Sequence, residues 1–245
     1  MDDIKKTDKL NPFNNINDKI DYDKIRLYLK IGILGACIVL AGDILMGWGL
    51  KDASLSGIES TASQYLGVSD KRMYISSLCG LIGVPIAVIG HVGIYKMIKP
   101  YSAKYAKLYL VGTLGFLSCG GAGVHVSSTE AAFFYKHMNI ADPSMALINT
   151  MNYVSHFLVP LYIVVIISWI IIVYAHIRVV LGNFSPYSKA CFLSSMLVGT
   201  SLTSTVGLLG NHEWVNALML GAFSVGNMWT LIGHYIILSR LKLQK

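Results

Sequence analysis

Apolar residues run almost unbroken through six stretches of this chain, at about 27–50, 73–98, 108–135, 152–177, 188–210 and 216–239. A helix needs roughly 20 apolar residues to cross the hydrocarbon core of a bilayer. Each stretch meets that length, and short polar connectors separate them. The pattern predicts an all-α, polytopic membrane bundle of six transmembrane helices forming one domain over 27–240. A β-barrel is excluded because barrel strands alternate apolar and polar residues, whereas 163–173 is apolar throughout apart from Ser168. Residues 1–26 are polar and lack the apolar core of a cleavable signal, so they read as a cytoplasmic tail. A second short tail follows at 241–245.

Within the stretches, small and polar residues recur at helical spacing. The first carries Gly32, Gly35, Ala36, Val39, Gly42, Asp43 and Met46 on one face. The second aligns Ser77, Gly80, Val84, Ala87 and His91. The third aligns Ser118, Gly121, Ala122, His125, Ser128, Thr129 and Ala132, and the fourth opens with Asn149, Asn152, Ser155 and His156. Thr200, Ser201, Thr203, Ser204 and Thr205 crowd the fifth. The sixth lines up Phe223, Asn227, Thr230 and His234. Small residues let membrane helices approach closely, so these faces are expected to turn inward around a polar interior.

Composition sharpens the class. Hydrophobic residues make up 54% of the chain and charged residues 13%, against about 25% charged in soluble domains. The net charge of +7 does not point to nucleic acid, because it is sorted by connector. Of the 20 Lys and Arg, 16 fall on the side of the tails and the second and fourth connectors. The positive-inside rule places that side, and both termini, in the cytoplasm of a cell membrane. Lys96, Lys99, Lys104 and Lys107 in the second connector are expected to meet anionic lipid headgroups. Cys37, Cys79, Cys119 and Cys191 lie in different stretches and read as packing residues.

With that topology, depth follows from about 1.5 Å of rise per residue. Asp43, His125, Glu130, His156, His212 and Glu213 fall on the outer side; His91 and His234, with Asn227 among the polar interior residues, lie deeper or toward the inner side. An ionisable group inside a membrane segment is expensive and usually faces a functional interior. Asp43, His125, Glu130 and His156 are therefore the candidate catalytic residues. His125, His156 and His212 are ligand types for a divalent metal such as zinc, although no H-E-x-x-H pattern or i, i+4 histidine pair supports it. A metal-free acid–base site is the second reading, ion-coupled transport the third, and haem held by His91 and His234 the fourth. Simple packing or interhelical hydrogen bonding is the remaining reading for each.

Gly42-Asp43-Ile-Leu-Met-Gly47, Gly90-His91-Val-Gly-Ile-Tyr95 and Gly121-Ala-Gly-Val-His125 resemble an uncharacterised family of small bacterial six-helix membrane proteins, over most of the chain. That resemblance implies the topology and the choice of Asp43 and His125, and carries no activity. His125 with Glu130, and Asn211 with Trp214, are similar to the polar pocket of membrane sterol isomerases of the emopamil-binding type, over little of the chain. The expected function is a membrane enzyme acting on a lipid or other apolar substrate near the outer leaflet. A small transporter and a non-catalytic membrane factor of the immunity or sensor type are the alternatives.

Overall fold

The computed structural model describes residues 20–182, 185 and 187–243, with side chains through 240. Residues 1–19 of the expected first tail, and most of the second, lie outside the described residues. Among the described residues all regular structure is helical.

Helix α1 (Tyr22–Gly47) begins five residues before the apolar stretch, because the Asp21 side chain accepts the Lys24 N–H at 3.0 Å and caps it. Such a cap satisfies one of the donors left open at a helix start. A short helix, α2 (Gly57–Ser63), continues into a 3₁₀ turn at Gln64–Gly67. Helix α3 (Asp70–Ile98) is capped by Ser69. Helices α4 (Ala103–Ala141) and α5 (Pro143–Leu181) are 39 residues each, about 58 Å at about 1.5 Å per residue. Both outrun a hydrocarbon core of roughly 30 Å. The connector expected at 136–151 is therefore almost wholly helical. Only Asp142 interrupts it, accepting from the Ser144 N–H at 3.1 Å, with Pro143 opening the next helix.

Helix α6 (Met196–Leu209) follows a 3₁₀ turn, Lys189–Ser194. The last apolar stretch is split into α7 (Glu213–Leu220) and α8 (Ala222–Leu243), bent by 65° at Gly221. Among the described residues four helices are long and apolar enough to cross a membrane, or five when α7 and α8 count as one span. The fifth expected span, 188–210, differs from expectation: its regular α-helix ends after ten residues at Thr205 and closes in a 3₁₀ turn.

The glycine stripe of α1 does what the sequence predicts. A Cβ on Gly32 would lie 2.4 Å from Gly90 Cα, and one on Gly35 would lie 2.3 Å from the Ala87 N. Helices α1 and α3 thus cross with their backbones in contact, which only small residues permit. Leu29, Ala36, Ala87, Ile94, Tyr109 and Ile172 build the core around that crossing. Outward faces remain apolar: Leu34, Val111, Leu114, Ile163, Ile167 and Ile170 are all exposed. A contiguous apolar exterior of this kind belongs in a membrane.

Two other polar stripes face differently from expectation. In α4 a π turn at Gly120–His125 inserts an extra residue per turn, which rotates the face that follows. Ala122, inside that turn, is exposed, and Ser127 is buried beside Thr129 and Ala132. In α5, Asn152, Ser155 and His156 point away from the bundle. A second π turn, Val154–Leu158, sits just before Pro160. Proline has no N–H for the helical ladder and crowds the preceding turn; a π turn is a recognised way to absorb that break.

Candidate functional site

Asp43 sits four residues from the C-terminus of α1, where the free carbonyls of the last turn need partners. Three other elements supply them. Arg72 of α3 donates to the Leu45 carbonyl at 2.9 and 2.6 Å and to the Trp48 carbonyl at 2.7 Å. Gln64 Nε2 donates to the Gly47 carbonyl at 2.8 Å. Asn216 of α7 donates to the Gly49 carbonyl at 2.8 Å. The turn that carries Asp43 is thereby held to α3, the 3₁₀ turn and α7.

His125 reaches Asp43 from the end of the π turn in α4. Its Nδ1 lies 3.4 Å from the Asp43 Oδ1, with side-chain exposures of 11% and 13%. Its Nε2 lies 2.9 Å from the Ser76 backbone carbonyl. A carbonyl only accepts, so the Nε2 carries a proton and donates it. Nδ1 is then the ring nitrogen that faces the carboxylate. The imidazole lies flat against Gly80, where a Cβ would fall 2.2 Å from its Cδ2. On the other side of Asp43, Ser224 offers its hydroxyl, and the bend between α7 and α8 comes so near that a Cβ on Gly221 would lie 3.3 Å from the Asp43 Cβ.

The pair opens on a cavity of about 180 Å³, walled also by Tyr65, Phe116, Tyr162, Phe223 and Asn227. Burial, and secondarily the Asp43 carboxylate, push the Tyr65 phenol up to about 12, so it is protonated at neutral pH. The walls are mostly apolar with a few convergent polar groups, the usual make-up of a small-molecule site.

The remaining expected residues do not join this pair. Glu130 is exposed and accepts from the Tyr153 hydroxyl at 2.6 Å. It lines a separate groove of about 520 Å³ with Tyr74, Phe133 and Phe134, so the expected pairing of His125 with Glu130 is not formed. Five helical residues separate them, which turns them to different sides. His156 is exposed, its Nδ1 2.7 Å from the Asn152 carbonyl of its own helix. His212 is exposed and stacks on Trp214, ring centroids 6.5 Å apart. Glu213 accepts from the Trp48 Nε1 at 2.7 Å. The metal set His125, His156 and His212 is therefore not assembled. Among the described residues no three His, Cys, Asp or Glu side chains are grouped to hold a metal ion.

The deeper histidines are buried but do not face each other. His91 Nδ1 is 2.8 Å from the Tyr109 hydroxyl and its Nε2 is 2.6 Å from the Asn227 Oδ1. Both ring nitrogens are occupied, so the expected bis-histidine pairing of His91 with His234 is not formed. His234 instead packs against His176, ring centroids 4.7 Å apart, and its Nδ1 donates to the Thr230 carbonyl at 2.8 Å. Ser76, Gly80, Tyr65 and Ser224 complete the site and were not singled out from the sequence as site residues. Ser76 and Ser224 carried no signal, being ordinary serines in apolar helices. Gly80 belonged to the predicted inward stripe, which was the available clue.

A family model matches residues 9–240, nearly the whole chain: a family of unknown function, DUF6796. The chain belongs to this family. No curated protein matches it, and no solved structure does either. Membership of DUF6796 brings no activity with it, so the site has to be interpreted from its own chemistry.

Proposed function

We propose that this DUF6796 chain is a multi-pass membrane enzyme that moves a proton on a small amphipathic or lipid-derived substrate, using Asp43 and His125 as its acid–base pair. The observation that carries this reading is the 3.4 Å approach of the carboxylate and imidazole at the wall of a cavity lined mostly by apolar side chains. A titratable pair in a cleft of low dielectric is a recurrent mark of function. The pair accepts one proton from the substrate at the Asp43–His125 edge and returns one to it, so no electrons change hands. His125 is anchored through its Nε2, which leaves Nδ1 and the carboxylate as the exchanging atoms. General acid–base catalysis of this kind contributes typically 10²–10⁴-fold to a rate.

The proposal takes six crossings, with α6 as the fifth and the bent α7–α8 pair as the sixth, and both termini in the cytoplasm of the cell membrane. The sorting of Lys and Arg supports that orientation. Lys96, Lys99, Lys104 and Lys107 would then lie against anionic headgroups. Protein in lipid nanodiscs, incubated in D₂O with a total membrane lipid extract, tests the activity. Mass spectrometry is expected to show one component gaining deuterium or isomerising with the wild type and not with Asp43→Asn. Identical spectra for the two proteins would overturn the proposal.

A second reading, an ion-coupled carrier, is favoured by the break at Gly221, because carriers often place their sites at interrupted helices. Proteoliposomes given a pH step distinguish it: a carrier moves protons across the bilayer and the enzyme does not.

A further inference from the structure

Asn227 lies at the floor of the cavity, only 2% exposed, on the third residue past Ser224 in α8. Its Oδ1 is taken by the His91 Nε2 at 2.6 Å. The proton placement on His91 can be worked out from its other partner. The Tyr109 hydroxyl is fully buried and, among the described residues, makes no hydrogen bond other than that to the His91 Nδ1, at 2.8 Å. A buried hydroxyl proton left without an acceptor is costly, so the Tyr109 O–H donates to Nδ1. Nδ1 is then bare, and the imidazole proton sits on Nε2 and is donated to the Asn227 Oδ1. This fixes the carboxamide the other way round from free choice: its oxygen points back to His91, and its Nδ2 is the end left over. No protein group among the described residues accepts from that Nδ2, and the residue forms part of the same wall as Asp43 and His125.

We infer that Asn227 is the group that recognises an oxygen atom of the substrate, and that His91 and Tyr109 are positioning residues that hold its amide donor toward the cavity. The inference rests on the reading of this cavity as a substrate site. It narrows the substrate to an apolar molecule bearing a carbonyl, ether or hydroxyl oxygen, bound with that oxygen on Asn227 and the exchanging proton on the Asp43–His125 side. A two-nitrogen anchor of this kind explains why a histidine and a tyrosine are buried together beneath the cavity, in a position where neither can touch a substrate. A polar group committed to hydrogen-bonding a substrate oxygen discriminates strongly against analogues that lack one.

The test uses full-length protein in nanodiscs with ¹⁵N-labelled histidine and asparagine, and two probes of similar shape, 2-octanone and n-octane. The His91 ¹⁵N signals are expected to report the Nε2-protonated tautomer. The ketone is expected to shift the Asn227 side-chain N–H signals, and the alkane is not. In Asn227→Leu the ketone should bind roughly two- to tenfold more weakly, the range of one neutral hydrogen bond, with n-octane unaffected. Tyr109→Phe leaves the cavity wall intact and guards against a folding defect; it should scramble the His91 tautomer and weaken the ketone-dependent shift. A His91 proton on Nδ1 would overturn the inference. So would Asn227 signals that ignore the ketone while those of His125 respond to it, and in that case the acid–base site stands without its oxygen donor. If neither residue responds to either probe, the cavity is not a ligand site and the proposed function falls with the inference.

Discussion

Gly80 is the residue on which the Asp43–His125 pair most directly depends, because the imidazole occupies the space a side chain would take. Gly80→Ala is expected to push His125 off Asp43 and to lower solvent deuterium incorporation at least tenfold, on the general rule that small misplacements of catalytic groups are costly. Gly67→Ala, where nothing lies within 4 Å, is the matching control and should leave the same assay unchanged. Glu130→Gln should also leave it unchanged, because Glu130 faces a separate groove and Tyr153; a loss comparable to that of Asp43→Asn would return Glu130 to the site. At this scale the sequence was informative in part. Asp43 and His125 were legible because a charge or an imidazole in a membrane helix demands a reason. Their partner Ser76 acts through its backbone carbonyl, and no side-chain pattern announces a carbonyl.

The elements divide into those whose faces follow simple periodicity and those whose phase is broken. The α1 stripe is of the first kind, and every member from Gly32 to Met46 except Asp43 is fully buried. Gly35→Ala is expected to cost about 1–3 kcal/mol or more through overpacking against the α3 backbone, read as a lower midpoint in denaturant unfolding of the reconstituted protein. Helices α4 and α5 are of the second kind. Each contains a π turn, and a single inserted residue rotates everything after it by about 100° relative to a straight 3.6-residue helix. Ala122 and His156 lie inside these turns and are exposed, against the positions their spacing suggested. The C-terminal turn of α1 depends on tertiary partners more than on its own sequence. Arg72→Ala removes three hydrogen bonds to its carbonyls. Hydrogen exchange at 46–50 should rise by at least tenfold in that variant, since bonds from a charged group are worth roughly 1.5–3 kcal/mol each.

At the scale of the whole molecule, orientation and enclosure are the properties at stake. In a variant lacking the four native cysteines, Glu59→Cys is expected to react with a membrane-impermeant maleimide added outside intact cells, and Lys104→Cys only after the membrane is opened. The reverse pattern would invert the topology and move the Asp43 site to the cytoplasmic side. Hydropathy and the spacing of small residues determined the all-helical, apolar class of this protein and the close contact of α1 with α3, because those depend on local composition and on residue size along one helix. Which ionisable groups meet was decided only by the tertiary structure. Expected depth puts six of them in one layer, but meeting requires neighbouring helices and matched rotations. The π turns within α4 and α5, the bend at Gly221 and the capping of α1 by Arg72, Gln64 and Asn216 accompany those rotations. They bring Asp43 to His125 and Asn227 to one cavity, and leave Glu130, His156 and His212 on other faces.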